Sequence, residues 1–565
     1  MNKFFVLLRL SKSVISVLSK NEKLRLMFFG TLSIFNTFLE LLTITFIINL
    51  LFIIGGKTTD ETFFSGFYDT SIIGQSPILI SSILMILIII VKSTFQVYFN
   101  YNQEKISHDI QKRLSIKLFM NFLYSKYEDY TNQNSSLLLR ILTRDSVAIS
   151  NSLINPFISV INEILLIIFI TFFIFYYDLI LGISVYITSI ILIIAFSIYF
   201  NNKVKRLGET FVSSDTRRIK NINESFKSFD FIKLHFKENI FIDLYSNYTD
   251  KLTKSGFKNI FFLKLPKIIY EFFIFLFLFI LIITLYYLNK TDMLISFLSV
   301  LAVSIYKIIP SLNKISNSFQ AIQFFSAPFY DIVKFLDLDT DKVAPINKIE
   351  FNTIDYNNVT FGYGNKLIFN NINFKIEKGD FIGINGSSGS GKSTLIKILC
   401  GLLFPNNISL MLDKKPFETK NLKNLFSYAP QDPSILDENI YKNISFQFDE
   451  NKINKNKIDK ILKKVDLQLG FNNLSKEKLG ENGIKISGGQ KQRVLIARAI
   501  YHEKKILILD ESTSNLDPKT EIKILELLKS LNKEITIIFI SHKSNSLRYC
   551  NKIYEISEGK ILNKK

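Results

Sequence analysis

Residues 381–394 read FIGINGSSGSGKST, and this stretch decides how the second half of the chain must fold. An apolar run with the character of a buried strand stops at Gly386, and the helical stretch LIKILCGLL follows from Leu395. Between them lies the spacing G-x-x-x-x-G-K-S in the strand-to-helix context that a phosphate-binding loop requires. Gly386, Gly389 and Gly391, with Ser387, Ser388 and Ser390, let backbone N–H groups wrap an anion. Lys392 reaches the terminal phosphates, and Ser393 and Thr394 open the helix, whose N-terminus adds its positive end. Ser393 also offers a hydroxyl to Mg²⁺.

Downstream of this loop, residues 505–512, KILILDES, read as a second buried strand ending in Asp510 and Glu511. Asp510 is placed to hold Mg²⁺, directly or through water, and Glu511 to polarise an attacking water. An acidic pair after a strand is by itself an ordinary solvated loop; the phosphate-binding loop in the same domain gives it meaning. Further apolar strands and helical stretches alternate through this half, which reads as an α/β domain over 349–565. The polar segment 336–348, LDLDTDKVAPINK, is a linker.

The 335 residues before the linker have a different texture. The chain of 565 residues is 48% hydrophobic, and apolar runs long enough to cross a bilayer lie near 26–54, 77–100, 150–176, 178–200, 268–289 and 293–318. Met1–Lys20 alternates apolar residues with lysine and arginine and lacks a cleavage site, as an interfacial helix would. The loops 101–148 and 203–258 are rich in Lys and Arg, which places them and the α/β domain in the cytoplasm. Stretches such as RLSIKLFMNFLYSKY (113–127) predict membrane helices that run on well beyond the bilayer. The net charge of +20 does not indicate a nucleic-acid partner, because no arginine-rich or aromatic-interleaved basic motif accompanies it. The chain has two cysteines, Cys400 and Cys550, both in the cytosolic half, so no disulfide framework is expected.

Three more segments complete a pattern: ISGGQKQR (486–493), SYAPQD (427–432) and IIFISHK (537–543). Together with the phosphate-binding loop, this set resembles the ATP-binding cassette transporters. The resemblance implies that Gln431 senses Mg²⁺ and the attacking water, that His542 contacts the γ-phosphate, that Tyr363 in VTFGYG stacks on adenine, and that Ser514–Asp517 form the D-loop. Ser487, Gly488, Gly489 and Gln490 begin a helix suited to an anion. The resemblance makes that anion the γ-phosphate held by a second copy, so the expected unit is a homodimer with two composite ATP sites. Ile486 and Asn515 replace the usual leucine and alanine of these motifs, and EKLGENG (477–483) matches the family only in part.

Six crossings fused to one cassette look like the exporter type: an all-α six-helix transmembrane domain joined to a cytosolic P-loop domain. The resemblance places coupling helices near 127–141 and 223–238 and the protein in a bacterial inner membrane. Within the exporters, the membrane half is most similar to the bacterial flippases of lipid-linked oligosaccharides, through SFKSFDFIKLHFKEN (225–239), LPKIIYE (265–271), SIYKIIPSLNKI (304–315), Glu40, and the external stretch ETFFSGFYDT (61–70). This implies a lipid-linked or amphipathic substrate, with a diphosphate head near Lys92, Lys267, Lys307 and Lys314. Lys307 and Lys314, two helical turns and about 10 Å apart, can form one basic stripe with Pro310 between them. Two other readings stay open for the lysines: snorkelling to the interface, and pairing with Glu40, Glu163 or Glu271. A multidrug or lipid A exporter and an ATP-gated channel stay open for the function.

Overall fold

The computed structural model describes residues 14–54, 77–177, 179–287, 294–342, 349–470, 473–511, 513, 517–532 and 534–564. The expected interfacial helix lies mostly outside these residues. The external stretch 61–70 and residues 514–516 of the D-loop lie outside them altogether.

The chain divides into two compact units, Met1–Ser125 with Asn132–Asp339, and Thr340–Lys565 with Lys126–Thr131. Among the described residues, six long helices follow one another in the first unit: α1 (Lys20–Ile54), α2 (Pro77–Leu123), α3 (Asn155–Tyr177), α4 (Leu179–Lys227), α5 (Glu238–Tyr287) and α6 (Leu294–Phe324). At 1.5 Å per residue, the 47 residues of α2 reach roughly 70 Å, far beyond a hydrocarbon core of about 30 Å. Such lengths match the extended helices expected from 113–127.

Among the described residues, five stretches are apolar and long enough to cross a membrane: Lys20–Ile48, Ser81–Leu123, Ser135–Phe175, Gly182–Lys227 and Glu238–Thr284. The sixth expected crossing, 293–318, falls in α6, whose sequence from Leu294 to Ser311 carries Lys307 as its one charged residue. Helix α6 nevertheless runs unbroken through Pro310 and buries Ile308, Leu312 and Ile315 among Tyr270, Ile167 and Phe200. Between α2 and α3, Ile141–Asp145 and Ser150–Ile154 are wound as π-helix. Here Arg140, 1% exposed, donates to Asp145 Oδ2 at 2.9 Å and to Thr216 Oγ1 at 2.7 Å, and pairs with Asp331.

Among the described residues, the second unit contains two sheets. The antiparallel one has the order β2-β1-β4-β5, from β1 (Thr353–Tyr363), β2 (Lys366–Glu377), β4 (Asn407–Leu412) and β5 (Lys415–Pro416). The other has the order β10-β9-β3-β8-β7-β6, from β3 (Phe381–Gly386), β6 (Phe426–Ala429), β7 (Ile506–Asp510), β8 (Thr536–Ile540), β9 (Lys552–Ser557) and β10 (Lys560–Asn563). All its neighbours are parallel except β9 and β10. Strands β7 and β8 are buried at every residue, which is why ILILD and TIIFI are continuous apolar runs rather than alternating ones. Helices α7 (Lys392–Leu399), α8 (Gly488–Tyr501) and α9 (Pro518–Leu531) belong to this unit. Tyr127 packs against its apolar core, with Lys397 Nζ 5.3 Å from the ring centroid. Cys400 and Cys550 are buried and not joined in a disulfide.

Candidate functional site

The carboxyl ends of β3, β8, β7 and β6 stand side by side, and each delivers one sequence-predicted group. Strand β3 ends in Gly386, β8 is followed by Ser541 and His542, β7 ends in Asp510 before Glu511, and β6 leads through Pro430 to Gln431. Parallel α/β sheets bind ligands at this edge, because all the loops after the strands converge there.

The loop after β3 has the conformation its glycines permit. Gly391, with φ +105, is the N-cap of α7, and a Cβ there would come within 2.9 Å of Phe369 Cζ. Among the described residues no side chain caps α7, so its first N–H groups remain available to an anion. Ser390 Oγ, buried in the loop, has no hydrogen-bond partner among the described residues, as befits a loop shaped around a ligand. Lys392, 8% exposed, donates to Gly386 O at 2.8 Å and Ser387 O at 3.0 Å. Burial lowers its pKa, against the opposing pull of Glu511 and Asp510.

Asp510 is 5% exposed and accepts the Tyr428 hydroxyl at 3.0 Å. Burial, with the Glu511 charge beside it, raises its carboxyl above the usual range, while the Tyr428 bond opposes that shift. Glu511 adopts φ +48, a left-handed backbone that a glutamate holds only under constraint. One of its oxygens accepts Gln431 Nε2 at 2.7 Å and the other lies 3.0 Å from His542 Nε2. Three predicted groups from three strand ends therefore meet at one carboxylate. The possible metal donors, the Ser393 hydroxyl, the Asp510 carboxyl and the Gln431 amide oxygen, are all oxygens. That chemistry suits Mg²⁺, which takes few protein ligands and fills its shell with phosphate oxygens and water.

Ser487 and Gln490 form a capping box at the start of α8: Ser487 Oγ accepts the Gln490 N–H, and Gln490 Oε1 accepts the Ser487 N–H at 2.8 Å. A Cβ added at Gly488 or at Gly389 would meet no atom of the described residues within 4 Å. Tyr363 is exposed at the end of β1, its ring edge-on to Phe361 at 5.0 Å.

One residue in this region has no motif to mark it. Glu521 on α9, 7% exposed, accepts Thr513 Oγ1 at 3.2 Å, Ser546 Oγ at 2.8 Å and Lys543 Nζ at 2.7 Å. It ties the loop after Glu511 to the loop after His542. The one available signal was its position four residues after Asp517, in the first turn of a helix capped by that aspartate.

In the membrane unit, α1, α2, α3 and α6 enclose a cavity of ≈ 370 Å³. Lys307, Pro310 and Lys314 line it, together with Glu40, Glu163, Asn36, Asn100 and Asn162. The lysines do not form an unopposed basic stripe. Lys307 and Lys92 lie 2.6 and 2.9 Å from Glu40 Oε2, Lys314 is 2.8 Å from Glu163, and Lys267 is 3.8 Å from Glu271. Lys267 is 63% exposed and does not line the cavity. Pairing prevails because a lone ammonium in a low-dielectric bundle is costly, and glutamates on adjoining helices, or one turn along α5 for Lys267, are within reach.

The family described as ABC transporter transmembrane region matches residues 26–309, and that described as ABC transporter matches 369–514. A Rickettsia typhi relative named as an export ATP-binding/permease protein is 28% identical over 520 residues, spanning 88% of each chain. The Lactococcus lactis lactococcin-A transport/processing ATP-binding protein is 37% identical over 215 residues, 36% of this chain and 28% of its own. The solved structure of a bacterial Atm1-family ABC exporter with ATP bound has the same fold, with TM-score 0.78 at 18% identity over 96% of this chain and 94% of that one.

Proposed function

The chain belongs to the ABC transporter family, and on that premise we propose that two copies assemble into an exporter in a bacterial inner membrane that moves an amphipathic or lipid-linked substrate. Its ATPase is coupled to transport, as the exporter fold with a C-terminal ATP-binding domain implies. ATP with Mg²⁺ would lie at the strand ends, with the N-termini of α7 and of the partner's α8 facing the γ-phosphate from opposite sides. The observation that carries this reading is the meeting of Gln431 and His542 on Glu511 beside the phosphate-binding loop. Two features support a second copy. The α8 N-terminus opens on space at Gly488, and Phe226, Leu234 and Phe236 near the turn between α4 and α5 are 76%, 75% and 87% exposed, an apolar tip that needs cover.

The substrate is where the lysine pairing weighs. A diphosphate head would draw Lys307 and Lys314 off two carboxylates, so the pairs count against the diphosphate of a lipid-linked oligosaccharide and favour another amphiphile. Its amide- and hydroxyl-lined wall still suits a head with hydroxyl groups. Reconstitution into vesicles tests the reading: an exporter shows amphiphile-stimulated hydrolysis and ATP-dependent movement across the bilayer. An ATP-gated channel would show ion conductance with no such coupling.

A further inference from the structure

Glu40 and its two lysines leave one positive charge over. Lys92 on α2 and Lys307 on α6 both contact Glu40 Oε2, at 2.9 and 2.6 Å, whereas Lys314 has Glu163 to itself. In a low-dielectric interior, removing the partner of a buried ion leaves an uncompensated charge, and that cost governs which ammonium can leave. Lys314 cannot turn to a ligand without stranding Glu163. Lys307 can, because Lys92 stays on Glu40. Of these two, Lys307 lines the cavity and Lys92 does not. Asn36, 9% exposed, lines the same cavity with an Oδ1 that has no donor among the described residues. A buried amide oxygen of that kind awaits a donor from a ligand.

We infer that Lys307 is the anion receptor of this cavity and that the site takes one negative charge, a phosphodiester or a carboxylate on an amphiphile whose head also donates a hydrogen bond to Asn36. This rests on the export reading and gives it a substrate class. A zwitterion gains less, since its cation has no carboxylate with a charge to spare. A diphosphate brings at least one charge too many, and meeting it would strand Glu40 or Glu163. Lys92 is then a positioning residue, holding Glu40 so that Lys307 is released.

The test counts charge. The full-length protein in phosphatidylcholine nanodiscs is titrated with dihexanoylphosphatidylglycerol, N-lauroylglycine, dihexanoylphosphatidylcholine and farnesyl diphosphate, and the concentration giving half-maximal stimulation of ATP hydrolysis is compared within each variant. The first two carry one negative charge, on a phosphodiester and a carboxylate respectively, so they also separate the two sources. At least one of them is expected to act at a concentration about tenfold or more below the zwitterion and the diphosphate, the scale of one close charge pair in a dry site. Glu40→Gln frees both ammonium groups and should bring the diphosphate ahead. Lys92→Gln makes Glu40 dependent on Lys307 and should abolish the monoanion advantage, while Lys307→Arg should keep it. A wild-type preference for the diphosphate, or an unchanged ranking in both Glu40→Gln and Lys92→Gln, would overturn the assignment and leave export standing. No response to any amphiphile would overturn the export reading with it.

Discussion

His542 Nε2 stands 3.0 Å from Glu511 Oε1. Since Glu511 Oε2 also accepts Gln431 Nε2, the groups following β6, β7 and β8 are joined through one carboxylate. On the proposed reading this carboxylate, beside the candidate phosphate-binding loop, would polarise water once a nucleotide draws its neighbours toward the phosphates. Glu511→Gln should lower steady-state hydrolysis by on the order of 10²–10⁴-fold, the usual contribution of a general base, and leave ATP binding intact. Filter binding beside phosphate release checks it; hydrolysis near the wild-type rate would remove Glu511 from the role.

Shared sites have their own signature. A chain with Lys392→Ala mixed with a chain with Ser487→Ala gives heterodimers in which one composite site carries both lesions and the other neither. Trapping of labelled ATP by such heterodimers should exceed that of either mutant homodimer. Equal trapping would mean that Lys392 and Ser487 do not meet across two chains.

Glu521 is expected to matter through the loops it joins. Replacing it by Ala leaves the Thr513 and Ser546 hydroxyls without their acceptor, at a cost of about 1–3 kcal/mol to the cassette. Thermal unfolding reads that cost. A role in holding the loops of Glu511 and His542 further requires that Glu521→Gln, which keeps the shape, lower kcat while leaving nucleotide affinity near wild type. Loss of stability with unchanged kcat would make Glu521 a packing residue only.

Acid should act on the sheet edge at Glu377. Its bonds from Lys375, then Lys552, hold its carboxyl down to a pKa of about 2, below its ordinary 4.5. A depressed acid contributes stability that is present above the unfolded value and lost as pH falls through the folded one. Glu377→Gln should therefore be less stable than wild type at neutral pH and converge with it between about pH 4.5 and 2. Urea midpoints across that range measure the effect; a difference that does not shrink on acidification would contradict it.

Much of the site was legible because its chemistry constrains single residues in one short segment. Gly391 must be glycine where φ is +105, and a continuous apolar strand before Asp510 must be buried on both faces. The Tyr428–Asp510 bond joins residues 82 apart and depends on β6 lying beside β7, an order that no local pattern encodes. In the membrane half the glutamate partners were visible as candidates. Which lysine shares which carboxylate follows from helix rotation and approach, so the doubly held Glu40 could not be read from spacing. The Lys267–Glu271 pair, one helical turn apart, could. Nothing in ILTRD or SNSLI marks them as π-helical.

The most direct measurement follows a fluorescently labelled phosphatidylglycerol in vesicles containing the purified protein, with a membrane-impermeant quencher reporting its transfer between leaflets. Transfer is expected to require ATP and Mg²⁺, to cease in Glu511→Gln and to slow in Lys307→Gln. Transfer at equal rates with and without ATP, or in wild type and Glu511→Gln alike, would contradict it.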